Sequence, residues 1–472
     1  MGKYIISIFI TFCFLNGKAK DCSCSANFSF MVEKIKQNYV GYNDKITILN
    51  KRKFDLFTDS LFIVAKKSNK YECSSVLRQW LSFFKDKHMI AGIDATGFSA
   101  DSIRKFYIND KKKSWTETDL KAYLNSNKNK LDEIEGVWFS ENGSYKIGIV
   151  RDNDEEDDSF AGFIIKGDGV YWMPKQIKFE ITKTNTGYKT KYFRLKDHSY
   201  SYPNLFKDSD TLSFGAYGKW YKTANYVSKK AIGQLAVDLS PKFRTIDNET
   251  SMFILPSFGS MDYIKSVDTL VENNKTVLKN TKHLIIDLRN NSGGSVLVYQ
   301  KLMSYIYTNP ILTEGGMVLA TDDNIKAGYS NIHAELSDSL QLYFKQRLAK
   351  LNSHRGQLYK LYPIDTIKYS TVLESPKRIS FLINRNTGSA AELFLLEAKQ
   401  STKVKLYGEN TAGAIDYTES IKIKMPCDFF VLYYPACKSL RLPDYPIDNI
   451  GIVPDVKIPD EITDWIEYVR KN

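Results

Sequence analysis

The sequence predicts a multidomain α/β plus β fold: a helical N-terminal region, an inserted antiparallel β-barrel or sandwich-like domain, and an α/β core. Three changes of pattern along the 472 residues predict it. Apolar residues recur at helical spacing up to about residue 130, and they alternate with polar ones from 134 to about 223. Beyond that they fall into strand–turn–helix units. The implied boundaries are 1–19 for a leader, 20–131 helical, 132–225 β-rich and 226–472 α/β.

The leader, "MGKYIISIFITFCFLNGKAK", has a cation at Lys3, an apolar run from Tyr4 to Leu15, and then Asn16-Gly17-Lys18-Ala19. The run is too short to span a bilayer as a helix. It has the form of a secretory signal peptide cut near Ala19, the alternative being a buried N-terminal strand. Lys20-Asp21 precede Cys22 where a lipoprotein signal needs small residues. No later segment is long and apolar enough for a membrane span, so the expected destination is periplasmic or extracellular.

Loss of Cys13 with the leader leaves Cys22, Cys24, Cys73, Cys427 and Cys437, an odd number. An oxidising compartment then implies at least one disulfide and one thiol left over. Cys427 and Cys437 bracket "DFFVLYYPA", one extended strand. Its ends lie roughly 30 Å apart at strand rise, beyond disulfide reach. Cys73 with either Cys22 or Cys24 is the expected pair. Cys22-x-Cys24 has no paired Cys/His motif beside it, so no metal site is expected. The formal charge of +12 is carried by scattered Lys, with no zinc-finger spacing, basic helix or Walker-type loop. That pattern excludes nucleic acid as a partner.

"FSFMVEKIKQNYVGY" and "SSVLRQWLSFFKDKHMI" carry the helical spacing of the N-terminal region. "GVWFSENGSYKIGIVRD" and "SFAGFIIKGDGVYWM" carry the strand alternation, broken at Asn-Gly and Gly-Asp-Gly turns. The acidic stretch Asp152 to Asp158 is a solvated hairpin loop in this reading. Trp138, Tyr171, Trp172, Tyr188 and Tyr192 form the β-domain's own core, the alternative being a peptide groove. In the α/β part, "HLIIDLRNNSGGS" is a strand ending in a Gly-rich turn, followed by the helix "VLVYQKLMSYIYT". "RISFLINRNTGSAAELFLLEAKQ" is strand, turn and helix, and residues 322–359 between them form a helical insertion.

Strand-to-helix turns place outward-pointing amides where negative charge can develop. Ser389 sits on one such turn. Ser389-Ala-Ala-Glu392 also matches the capping box S-x-x-E, so the sequence alone allows a helix cap as well as a nucleophile. Ala391 excludes a G-x-S-x-G elbow, and Glu392 excludes S-x-x-K. The second turn, Asp287 to Ser295, has two glycines that let backbone amides approach a ligand. Two such turns on one sheet suit acyl transfer.

"IIDLRNNSGG", "NRNTGSAAELF", "YGENTAG" and "NIGIVPDVKI", in that order, resemble the C-terminal-processing (tail-specific) serine peptidase family. Its relatives include the tricorn protease and the interphotoreceptor retinoid-binding proteins. The resemblance runs from Ser251 to Pro459 and implies a ClpP/crotonase-like α/β core with Ser389 in the nucleophile's place. One branch activates its Ser with a Lys after the G-E-x-T motif; "GENTAGAIDY" has Ala414 there. The tricorn-like branch uses a His and an acid. "FFKDKHMI" resembles its D-x-H element and places His88 as general base, while "IDNIGIVPD" places Asp448 as the orienting acid.

The other histidines lie in the β-domain, at a strand start or in the insertion, and only His88 ends a helix beside a D-K-H turn. A C-terminal cap is its alternative role. The resemblance further implies an oxyanion hole of the Gly293 and Ala390 backbone amides, with Asp287 and Arg289 fixing the turn. The partner is a peptide or protein substrate, and the chemistry needs no metal or organic cofactor. The PDZ domain common in the family has no counterpart loop here; the β-domain stands where it would be. A non-catalytic ligand- or peptide-binding relative of the same fold is the alternative function.

Overall fold

The computed structural model describes residues 21–472 apart from 142, 153–157, 185–186, 197, 204, 215–216, 223–238, 335, 460 and 463. The leader, the boundary at 225 and most of the acidic stretch lie outside the described residues.

The α/β core is a six-stranded sheet in the order Lys242–Thr245, Thr250–Ile254, His283–Asp287, Arg378–Ile383, Val404–Gly408, Val456–Lys457. The first pairing is antiparallel and the rest are parallel. The central strands are near-continuous apolar runs because both of their faces are covered. Leu284 and Ile286 join Phe253, Val267 and Phe394 on one face, and Ile285 joins Leu382, Tyr407 and Trp465 on the other. The helices Asp262–Asn273 and Ala390–Ala398 cover the first face, and Trp465–Lys471 covers the second. The expected helix after the Gly-rich turn breaks into two short 3-10 turns and one α-turn, Met303–Ile306. The insertion holds the helix Asp338–Ser353, as expected.

A second sheet brings the chain's distant parts together. Its central strand, Phe430–Ser439, pairs with Tyr417–Lys424 along one edge. Ile90–Ile93 and Gly316–Leu319 share the other edge. The N-terminal helices are therefore not a separate layer. Phe28, Phe54, Trp80 and Phe84 lie in one core with Tyr417, Phe430, Leu432 and Tyr434. Disulfides Cys24–Cys73 and Cys22–Cys427 hold this union, and Cys437 is a buried free thiol. Cys24 is thus the partner of Cys73, and the second bond is one that spacing did not reveal. Closing the shorter loop limits the unfolded chain, so Cys73→Ser should lower stability by about 2–4 kcal/mol. Urea unfolding of Cys73→Ser beside the wild-type chain, both without reductant, measures this; equal midpoints would show that the bond is absent.

Between these parts stands one open antiparallel sheet of nine strands, from Gly136–Ser140 to Lys219–Tyr221. It is curled into a half-barrel. Phe179 and Trp220 lie four strands apart, roughly 19 Å in a flat sheet. Their ring centroids are 6.0 Å apart, because the sheet folds over its own core. Trp138, Trp172 and Tyr192 are buried in that core, with Tyr171 and Tyr188 packed against it, so these aromatics are structural. No helix among the described residues is long and apolar enough to cross a membrane.

Candidate active site

Two turns at the ends of neighbouring parallel strands are stitched together by amide side chains. Asn384 Oδ1 accepts from the Asn290 N–H at 2.9 Å, and the Asn384 and Asn386 side chains both donate to Asn290 Oδ1. Thr387 Oγ1 donates to the Leu288 carbonyl at 2.9 Å, and the Gly388 N–H donates to that of Asn291 at 2.9 Å. Asp287 receives the Arg289 guanidinium at 2.6 and 2.9 Å and fixes the start of the Gly-rich turn, as the sequence implied.

Ser389 stands at the junction with φ 54° and ψ −123°, outside the regions an L-residue favours. Such a residue costs about 1–3 kcal/mol and is held only where its surroundings dictate it. Glu392 supplies that hold. Its buried carboxylate accepts from the N–H groups of Ser389 and Ala414 at 2.9 Å each, from Gly413 N–H at 2.8 Å and from Thr411 Oγ1 at 2.5 Å. The capping box is thus firm only on the carboxylate side. The Glu392 N–H donates to the Ser389 carbonyl at 2.7 Å, and the hydroxyl makes its hydrogen bond elsewhere. Gly293, at φ +93°, presses against the same junction. A Cβ there would lie 2.7 Å from Ser389 Cβ and 2.8 Å from Ala390 N, so only glycine fits.

The hydroxyl's partner comes from the far side of the sequence. His88 Nε2 lies 3.2 Å from Ser389 Oγ, across 301 positions. The pairing of Ile90–Ile93 with Phe430–Ser439 carries His88 there. The Lys87 ammonium hydrogen-bonds the Ala412 carbonyl, and Asn449 Nδ2 donates to the Lys85 carbonyl at 2.8 Å. These contacts pin the His88 loop to the turns at 411–414 and 448–449.

The acid side departs from the expected arrangement. Asp448 Oδ1 accepts from the Ile415 and Asp416 N–H groups at 2.8 Å each, and no hydrogen bond joins Asp448 to the imidazole among the described residues. His88 Nδ1 is buried without a hydrogen-bond partner, and the nearest carboxylate oxygen is Asp86 Oδ1 at 3.8 Å. Asp86 also accepts from the His88 N–H at 2.9 Å and from the Tyr39 hydroxyl at 2.8 Å. Burial, reinforced by Asp86 and Asp416, pushes the Asp448 carboxyl up to about 7. Asp86, inside the D-K-H element but not singled out there, is a carboxylate beside the imidazole that sequence reasoning missed.

The oxyanion side also differs in detail. The Gly293 N–H, one of the two expected donors, is engaged by Asn291 Oδ1 at 2.9 Å. The Ala390 N–H, in the first turn of its helix, has no intrahelical acceptor. Other histidines are held in structural contacts: His198 stacks between Tyr107 and Trp172 at 3.8 Å each, and His283 Nε2 lies 2.8 Å from Ser380 Oγ. Lys399 pairs with Asp455 at 3.3 Å, and Lys403 donates to the Leu373 carbonyl.

Residues 251–458 match peptidase family S41. Over that segment, somewhat less than half of its length, the chain is similar to the family S41 peptidases. A protein of Chlamydia trachomatis serovar D is 25% identical over 229 residues, 41% of this chain and 37% of that protein. An uncharacterized protein of Chlamydia muridarum is 25% identical over 224 residues, 40% of this chain and 37% of the other. The matches thus span little more than a third of these relatives' length. Among solved structures, mature CPAF is 14% identical, with 95% of this chain and 97% of that one covered at a TM-score of 0.51. That likeness is one of fold. The matched S41 segment holds Ser389, Glu392 and Asp448; Asp86 and His88 lie before it, in the helical region.

Proposed function

We propose that the chain is an exported serine peptidase that hydrolyses peptide bonds through an acyl-enzyme on Ser389. The 3.2 Å approach of His88 Nε2 to Ser389 Oγ carries this reading, because packing alone gives no reason for a strained Ser to meet a His from so distant a segment. His88 takes the hydroxyl proton as Oγ attacks the carbonyl and returns it to the leaving amine. Asp86, whose Oδ1 lies 3.8 Å from Nδ1, supplies the negative charge that stabilises the imidazolium, and Asp448 orders the adjoining turn through the Ile415 and Asp416 amides. The tetrahedral oxyanion is met by the Ala390 N–H and by the Gly-rich turn. There Gly294 replaces Gly293 as donor, since the backbone bonds of the bridge to Phe258 use the Gly293 carbonyl and the Ser295 N–H. Two disulfides and the leader support export.

A fluorophosphonate probe applied to the exported fraction tests both parts. One label is expected on the peptide containing Ser389, absent in Ser389→Ala and slow in His88→Ala. The labelled protein should begin near Lys20. Labelling of a different residue, or none, would leave the non-catalytic binder as the better reading, and an intact Met1 would remove the leader.

A further inference from the structure

Beside the Gly-rich turn lies a cavity of about 830 Å³, large enough for a long side chain and the backbone at its base. Gly294, Ser295 and Val296 line it, immediately after the glycine that presses on Ser389. Leu393 and Glu397 line it too, one and two turns further along the nucleophile's helix. Ser389 and Glu397 are therefore separated by about 12 Å of helix axis.

Glu397 is the unusual member. It is 6% exposed, and its Oε2 is sealed from solvent with no hydrogen-bond partner among the described residues. A buried polar atom left unpaired costs about 1–3 kcal/mol, more when charged, so its retention asks for a reason. Lys350 and Asp365 line the cavity as well, and two of its other charged groups are engaged. Glu314 accepts from Arg441 Nε at 2.6 Å. Arg347 faces Glu419 and lies over the rings of Tyr343 and Tyr362 at 3.8 and 4.2 Å. Burial, with Glu314 adding to it and the Tyr299 hydroxyl opposing it, pushes the Glu397 carboxyl up to about 7, so the group carries its charge poorly.

We propose that this cavity is the specificity pocket of the peptidase and that it takes a Lys or Arg side chain of the substrate, whose cationic head pairs with the Glu397 carboxylate. The proposal rests on the peptidase reading. A cation restores the charge that burial suppresses, and its N–H groups supply the donor that Oε2 lacks. A neutral alkyl side chain leaves Oε2 unpaired, and an acidic one adds a second negative charge. The chain's own charge of +12 repels basic peptides at a distance. That field is screened beyond about 8 Å at physiological salt, so the preference comes from contact inside the pocket.

Binding to Ser389→Ala protein tests the pocket without depending on hydrolysis. Fluorescein-labelled octapeptides of Ala and Ser carry one Lys, Arg, norleucine or Glu at each position in turn, and fluorescence anisotropy gives Kd. At one position Lys and Arg should bind at least tenfold more tightly than norleucine, and Glu should bind worst. Glu397→Gln, checked for folding by its unfolding midpoint, should erase the preference. Equal Kd for Lys and norleucine at every position overturns the proposal, and so does a Lys preference that survives in folded Glu397→Gln. The Lys–norleucine comparison needs no change at Glu397, so it stands even if that variant fails to fold. Absent hydrolysis by the wild-type chain would count against the peptidase reading alone.

Discussion

Ser389→Ala and His88→Ala should each lower kcat for peptide hydrolysis by several orders of magnitude, and the double variant should be little worse than either. Groups that share one proton transfer are strongly non-additive, because losing one removes the use of the other. Loss of a helix cap alone predicts something different: about 1 kcal/mol of stability for Ser389→Ala, with catalysis intact. The observed bonding makes even that loss small, since the Glu392 N–H is held by the Ser389 carbonyl and not firmly by its hydroxyl. Measuring kcat and the unfolding midpoint on one preparation separates the two. Hydrolysis at near wild-type rate in Ser389→Ala would end the assignment of that residue as nucleophile.

Glu392→Ala should be the most damaging single change for stability near the site, by about 3–5 kcal/mol. It removes the acceptor for four donors drawn from two turns, all in a buried setting. Glu392→Gln keeps the shape but turns an amide NH₂ toward two existing donors, whichever way it flips. It should therefore destabilise by about 2 kcal/mol and slow kcat, because the Ser389 backbone loses the contact that holds its strained dihedrals. Chemical denaturation measures the first effect, and kcat on the folded Gln variant measures the second. A Gln variant of unchanged midpoint and unchanged kcat would show that Glu392 neither stabilises nor aims the serine.

The sequence made some of this legible and hid the rest for physical reasons. Strand-to-helix turns announce themselves locally, so Ser389 and the Gly-rich turn could be placed from a few residues each. His88 was legible because its D-x-H setting is local. Glu392 was visible only as a cap partner: three of its four donors come from residues 411–414, and no helical pattern encodes that neighbour. The Asn290–Asn384 exchange is hidden for the same reason, since it needs adjacent strands 94 positions apart. Asp448 was placed by its motif, which does not encode which amides its short side chain would reach. Its Oδ1 rests on the 415–416 amides, and Asp86 stands nearer the ring. The helix expected after the Gly-rich turn failed because tertiary packing of Val298, Tyr299 and Leu302 overrode local periodicity.

The strand pairing that carries His88 to Ser389 also sets when the two can meet. Ile90 pairs with Tyr433, and Cys22 is bonded to Cys427, 405 positions away. Neither contact can form on a ribosome that has not yet released the last tenth of the chain. Every earlier nascent intermediate holds His88 without the strand that positions it beside Ser389. The two side chains can therefore be brought together only when both ends of the chain have met.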